Sequence, residues 1–339
     1  MPKTDITVQE LVNKVRHGEL ALPEMQRRYV WPATRVRDLL DSLYRGYPSG
    51  TILVWETDED IVTKEIAVKA TQAPTTSQRQ LLLDGQQRIT SLASVLDGLP
   101  VQVRNRKKPI DILFNLEHPE GPPMEVTEVE ENNHSTEGDD NDEDTASDRD
   151  IQEEIKKRVF VVASHALQND PLWVPVSKIF KTKDKDLLKP LGINSDDERW
   201  DKYTERLHRV RQIEKYPYVM QVLEKSLSYE EVTEIFVRVN SLGIKLRGSD
   251  LALAQITSRW KGFMAEIEQF SSEFKDDSDY IVETGLPVRM LVIFATQQCR
   301  FKTVGKISKK DFQPSWEKAK QGLRFAINFL RSNAGIDSL

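Results

Sequence analysis

Apolar positions along this chain switch repeatedly between a helical and a strand-like spacing, and the switches outline helices alternating with short strands. Thr7-Val8-Gln9-Glu10 is a capping box that opens a helix ending near Gly18. Residues 20–22 form a short strand. Pro32 suits the first turn of the next helix, whose core stripe is Val36, Leu39, Leu40 and Leu43. Residues 50–56, 65–70, 80–83 and 111–116 have the composition of strands, as do 158–163 and 218–223. A charged helix is expected over 196–214. Ser228-Tyr229-Glu230-Glu231 is a second capping box, with Val232, Ile235, Phe236 and Val239 as the buried stripe behind it. Beyond Asp250 the spacing is mainly helical to the end.

The densest information lies in Leu81-Leu82-Leu83-Asp84-Gly85-Gln86-Gln87-Arg88-Ile89-Thr90. Three leucines suit a buried strand, and Asp-Gly breaks it. Ile89, Leu92, Ala93 and Leu96 then recur at helical spacing. Two amides and a guanidinium therefore fall on the first turn of a helix, just past a strand end. Such a turn offers N–H groups and a positive dipole end to an anion, and Arg88 adds a planar fork of donors. The simpler reading is that Asp84 caps the helix and Gln87 completes a capping box. On either reading Arg88, in a first turn, buries little.

Composition modifies this picture in one place. The 339 residues carry a net charge of −6. Residues 117–150 hold 14 acids and one base, so −6 less that segment's −13 leaves +7 for the rest. The segment has few large apolar residues and cannot offset its ordering entropy, so a mobile acidic insert is expected over about 117–156. The single cysteine, Cys299, excludes an internal disulfide and a thiolate cluster. The five histidines are scattered, so neither a zinc site nor a His-Asn-His nuclease motif is expected. Gly243 to Asp250 has the glycine spacing of a phosphate loop without its Lys-Ser/Thr pair. No apolar run is long enough to span a bilayer, and the N-terminus lacks the apolar core of a signal peptide, so a cytoplasmic location is expected.

Two more segments complete a set. Upstream stands Leu22-Pro23-Glu24-Met25-Gln26-Arg27-Arg28-Tyr29-Val30-Trp31, where Tyr29 and Trp31 could stack on a base and Arg27 pair with phosphate; a core anchor is the alternative for Trp31. Downstream stands Phe236-Val237-Arg238-Val239-Asn240-Ser241-Leu242-Gly243, a helix end with a glycine exit, where a simple C-cap is the alternative. With the Asp84 to Arg88 turn, these segments occur in the order seen in the N-terminal domain of GmrSD-type modification-dependent restriction endonucleases, which the chain resembles over roughly residues 5–255. Residues 38–56 add to the likeness.

That resemblance implies an α+β fold: a ParB/sulfiredoxin-like mixed domain over 1–255, followed by a mainly helical region over 256–339. It implies a nucleotide-binding, NTP-hydrolysing domain that couples turnover to DNA cleavage by a His-Asn-His-type nuclease domain or subunit outside this chain. Asp84, Gln87 and Arg88 would be catalytic, with Asp84 orienting a water or metal ion. Gln26, Arg27, Tyr29, Gly85, Gln86, Thr90, Arg238 and Asn240 would hold the nucleotide, and all three segments should converge on one pocket. Magnesium would enter with the nucleoside triphosphate, whether GTP, UTP or ATP. DNA and a second copy of the chain are further expected partners. The competing readings are a ParB-like DNA-binding module without catalysis, served by the basic runs 104–108 and 206–211, and a domain that itself nicks DNA.

Overall fold

Where an apolar run is continuous, the strand it forms is covered on both faces. The computed structural model describes residues 3–23, 31–58, 63–64, 79–103, 108–121, 154–242, 248–274, 282–299, 301, 304 and 307–334. Its main sheet has the order β1-β9-β3-β5-β2-β4. These strands are β1 (Lys3–Thr7), β2 (Leu20–Pro23), β3 (Ile52–Thr57), β4 (Thr63–Lys64), β5 (Arg79–Asp84) and β9 (Pro217–Leu223). At the centre, β3 pairs antiparallel with β5 and parallel with β9. Ile52 and Val54 of β3 and Leu82 of β5 face the main core. Their neighbours Leu53, Trp55, Leu81 and Leu83 face a second cluster on the other side. The alternation of side chains along a strand thus divides one apolar run between two cores.

Helices α1 (Val8–Arg16), α2 (Ala33–Arg45) and α3 (Gln86–Leu96) contribute to the main core. The Thr7–Glu10 capping box is formed as expected. Pro32 is the N-cap of α2, and the stripe Val36, Leu39, Leu40, Leu43 is buried. A smaller sheet, β7-β6-β8, joins the same core through Ile112, Phe114, Phe160 and Val174. Its strands are β6 (Ile112–Asn115), β7 (Phe160–Val162) and β8 (Trp173–Pro175). Helix α4 (Trp200–Arg211) adds Tyr203, Leu207 and Val210.

The opposite face of the main sheet is covered by α5 (Tyr229–Leu242), whose Ser228–Glu231 capping box is present. Its buried residues include Val232, Thr233 and Phe236, and Ile235 is partly buried. Val239 departs from the expected stripe: it is 43% exposed. Helices α6 (Gly248–Thr257), α7 (Phe263–Ser272), α8 (Gly285–Thr296) and α9 (Lys309–Ala334) build a separate helical core around Phe263, Phe270, Phe312 and Trp316. Helix α6 serves both: Ala254 meets the sheet-side cluster, while Leu253 and Ile256 enter the helical core. The architecture is α+β, a mixed-sheet region followed by helices. No described helix is long and apolar enough to cross a membrane.

Two expectations change. Strands β1 and β8 were not foreseen, being short and polar or proline-bounded. The strand expected over 65–70 lies outside the described residues. The acidic insert does not begin at 117. Glu117 pairs with Lys202 at 2.5 Å and accepts a hydrogen bond from the Tyr203 hydroxyl, and His118 is buried. The chain crosses from β6 to β7 through the insert, yet those strands are in direct antiparallel register, Ile112 with Val162 and Phe114 with Phe160. Asn115 also donates to the carbonyls of Lys156 and Arg158. Replacing residues 122–153 by a short Gly-Ser linker is therefore expected to leave the Tm essentially unchanged, because the hairpin is fixed on both sides and shortening a loop lowers its closure entropy. A fall of many degrees in a thermal melt would refute this.

An aromatic cluster ties the smaller sheet to α2. Tyr44 lies 5.5 Å from Phe114, 5.7 Å from Phe160 and 5.6 Å from His118, centroid to centroid. The Nδ1 of His118 lies 2.8 Å from the Pro119 carbonyl, an acceptor only, so Nδ1 carries the proton. Nε2 then accepts from the Tyr44 hydroxyl at 3.0 Å in the neutral ring. Burial, helped by the nearby charges of Arg206, Arg45 and Arg209, lowers the His118 pKa to about 4. An unfolded histidine titrates near 6.5. The unfolded chain thus takes up this proton first as pH falls. Stability should be full above about pH 6.5 and decline towards pH 4. In His118→Gln, the Tm difference between about pH 7 and pH 5 should shrink; an undiminished difference would assign the slope elsewhere.

Candidate functional site

Asp84 closes β5 opposite Leu53, and the chain then turns through Gly85 into α3. Gly85, not Asp84, is the N-cap. Its backbone is left-handed, φ 100° and ψ 4°, and no side chain caps the helix. Asp84 remains in the strand, so the expected capping box with Gln87 does not form. A Cβ on Gly85 would stand 2.5 Å from Ile52 Cδ1, which together with the positive φ demands glycine here.

Arg88 is the centre of the local bonding. Its side chain is only 12% exposed, contrary to the expectation for a first-turn arginine. One terminal nitrogen donates to the Ser49 carbonyl at 2.6 Å; the other donates to the Thr51 carbonyl at 2.7 Å and to Asp84 Oδ2 at 3.1 Å. The guanidinium also lies 5.8 Å from the Tyr218 ring centroid. Gly50 sits between the two carbonyls with φ 92°, and a Cβ there would fall 2.3 Å from Arg88 Nη1. Ser49 Oγ donates to the Tyr218 hydroxyl at 2.7 Å, fixing the same loop to β9. Burial raises the Tyr218 pKa, so it is a neutral phenol. The arginine fork thus clasps the loop after α2 to the turn before α3.

The other expected residues are placed as follows. Gln87 accepts a hydrogen bond from the Trp31 backbone N–H at 3.2 Å, which joins the end of the upstream segment to the turn. Trp31 is partly buried against the main core, as in the core-anchor reading. Gln86 and Thr90 are buried. Gln26, Arg27 and Tyr29 lie outside the described residues. Arg238 is on α5, with its side chain 74% exposed and paired with Glu234. Asn240 follows in the last turn of that helix. Helix α3 packs on one face of the main sheet and α5 on the other. Among the described residues no group of three or more His, Cys, Asp or Glu is placed to hold a metal ion. Cys299 is exposed and free.

A central strand ending in a carboxylate, a buried left-handed glycine and an uncapped helix start define a sheet-based α+β domain with a polar turn at one end of its core strands. Residues 8–257 match the family described as GmrSD restriction endonuclease, N-terminal domain, and the chain belongs to that family. It is also similar to the uncharacterized protein MJ0686 of Methanocaldococcus jannaschii, at 25% identity over 288 residues, covering 79% of this chain and 43% of the relative. The chain thus spans under half the length of that curated relative.

Proposed function

We propose that the chain binds and hydrolyses nucleoside triphosphates, and that this turnover regulates DNA cleavage by a nuclease domain or subunit beyond these residues. The carrying observation is the turn itself: a helix start without a side-chain cap, held at the end of a central strand beside the partly exposed Asp84. The N–H groups of an α-helix's first turn have no intrahelical partner and favour phosphate. In this reading the backbone around Gly85, Gln86 and Gln87 receives phosphate oxygens, and Asp84 orients the attacking water. Water adds to the terminal phosphorus as the bridging P–O bond breaks, and the attacking water's proton goes to solvent. Arg88 acts as a positioning residue, since its fork already holds Ser49, Thr51 and Asp84. Thr90, buried one turn on, supports the same helix start.

Positive charge for the triphosphate would come from Arg27 and Arg238, with Gln26, Tyr29 and Asn240 lining the nucleotide, as the family resemblance suggests. Asp84 is a fitting oxygen ligand for magnesium, which would supply charge neutralisation on the phosphates. DNA and a second copy of the chain are further proposed partners. The deciding experiment is a phosphate-release panel over the four nucleoside triphosphates, with and without magnesium and modified DNA. Steady turnover of at least one nucleotide supports the reading. Salt-dependent DNA binding with no turnover on any of them would replace it with a DNA-binding module lacking catalysis.

A further inference from the structure

A cavity of about 470 Å³ opens between the C-terminal end of α2, the helix α4 and residues 118–121 after β6. It is a different set of residues from the Asp84 turn, although Tyr47 at its edge belongs to the loop that Arg88 clasps. Four basic side chains line it, Arg45, Lys202, Arg206 and Arg209, against two carboxylates, Glu120 and Glu205. Lys202 is neutralised by Glu117, and Arg45 by Asp41 at 2.8 Å. Arg206 and Arg209 have no carboxylate partner among the described residues.

The two unpaired arginines are held rather than loose. Arg206 is only 8% exposed and donates Nη1 to the Leu116 carbonyl. Arg209 donates Nε to the Tyr44 carbonyl at 3.2 Å, with its guanidinium 4.5 Å from the Tyr44 ring centroid. Glu205 stands four residues before Arg209 on α4, the spacing at which a helical ion pair forms readily. That pair is not made, and Arg209 turns to Tyr44 instead. His118, which also lines the cavity, is neutral and places no further charge there. Glu117 feels the charge of Arg206 but is already paired with Lys202, and a largely buried guanidinium without an ion pair of its own costs free energy unless an anion completes it. The volume lies in the range of small-molecule sites. Fixed, planar guanidinium forks suit phosphate oxygens better than a point charge does.

We propose that this cavity is a phosphate-binding site, in which Arg206 and Arg209 hold the phosphate oxygens and the 43% exposed Tyr47 lies against the group that bears the phosphate. The phosphate belongs either to a free nucleotide or to a nucleic-acid backbone. The test measures binding of inorganic phosphate, a nucleoside monophosphate and a short unmodified DNA duplex to the full chain and to two variants. Arg209→Gln should weaken binding roughly tenfold, the loss of one charge-assisted contact. Glu205→Gln should tighten it by about twofold to threefold, because a competing carboxylate is removed at an exposed position where folding is not at stake. Loss confined to the duplex assigns the phosphate to a nucleic-acid backbone, and loss confined to the monophosphate assigns it to a free nucleotide. Affinities that neither variant changes, or no binding of any probe, overturn the proposal. Neither substitution alters the Asp84 turn, so phosphate release measured on the same variants reports separately on the proposed hydrolysis.

Discussion

Arg88→Ala is expected to destabilise the sheet-centred region by about 3 kcal/mol, and to abolish NTP turnover with it. The reason lies in what the guanidinium leaves behind. The Ser49 and Thr51 carbonyls each lose a charge-assisted donor, and Asp84 loses its partner. An abandoned acceptor costs on the order of 1–3 kcal/mol when buried; Ser49 is part-buried and Thr51 exposed, so water recovers part of the loss. Lysine should rescue little, since one ammonium cannot span two carbonyls as a fork does. Denaturant midpoints of the wild type, Arg88→Ala and Arg88→Lys decide the matter. A midpoint for Arg88→Ala equal to wild type would mean that the clasp contributes nothing. Normal turnover in a folded Arg88→Ala chain would remove the arginine from the proposed site altogether.

Gly85→Ala should cost about 2–3 kcal/mol, combining left-handed backbone strain with displacement of a buried side chain. The Cβ would meet Ile52 Cδ1 at 2.5 Å, and Ile52 is fully buried in the main core, so its side chain must move within packed surroundings. Gly46→Ala provides the control. Gly46 also has a positive φ, 74°, but a Cβ there meets nothing within 4 Å. Its penalty should be backbone strain alone, about 1 kcal/mol. Equal losses in the two variants, by chemical denaturation, would show that the contact with Ile52 is harmless. The same Gly85→Ala protein should release phosphate slowly, because moving the turn moves the helix start that the nucleotide is proposed to meet.

Much of the fold was legible because the signals were local and redundant. The Thr7–Glu10 and Ser228–Glu231 boxes each mark a helix start by two reciprocal bonds, and both are formed. The apolar runs in β3 and β5 announced strands buried on both faces. What was illegible depended on distant partners. Arg88 looked like a surface residue because nothing nearby in sequence discloses that Ser49 and Thr51 fold over it. Val239 kept the helical period of Val232 and Phe236 but is exposed where they are buried. Residues 117–121 shared the acidic character of the insert, yet Lys202 and Tyr203, from a helix some eighty residues later, draw Glu117 into the fold. The basic cavity had one visible trace: Arg206 and Arg209, three apart on an otherwise amphipathic helix. Their convergence with Arg45 and His118 belongs to tertiary structure alone.

The strand order β1-β9-β3-β5-β2-β4 also has a consequence for synthesis. β9 is the slot between β1 and β3, and it is made about 160 residues after β3. At ribosomal rates of roughly 5–20 residues per second, β3 waits on the order of ten seconds or more for its parallel neighbour. Through that interval Ile52 to Trp55 present an open apolar edge, the kind of surface that invites pairing with another nascent chain. The helix that covers Leu53 and Trp55, α5, arrives only after β9. The vulnerable period in the life of this protein therefore falls before release from the ribosome, and its yield in a cell should depend on translation speed and on holding chaperones more than on the stability of the finished fold.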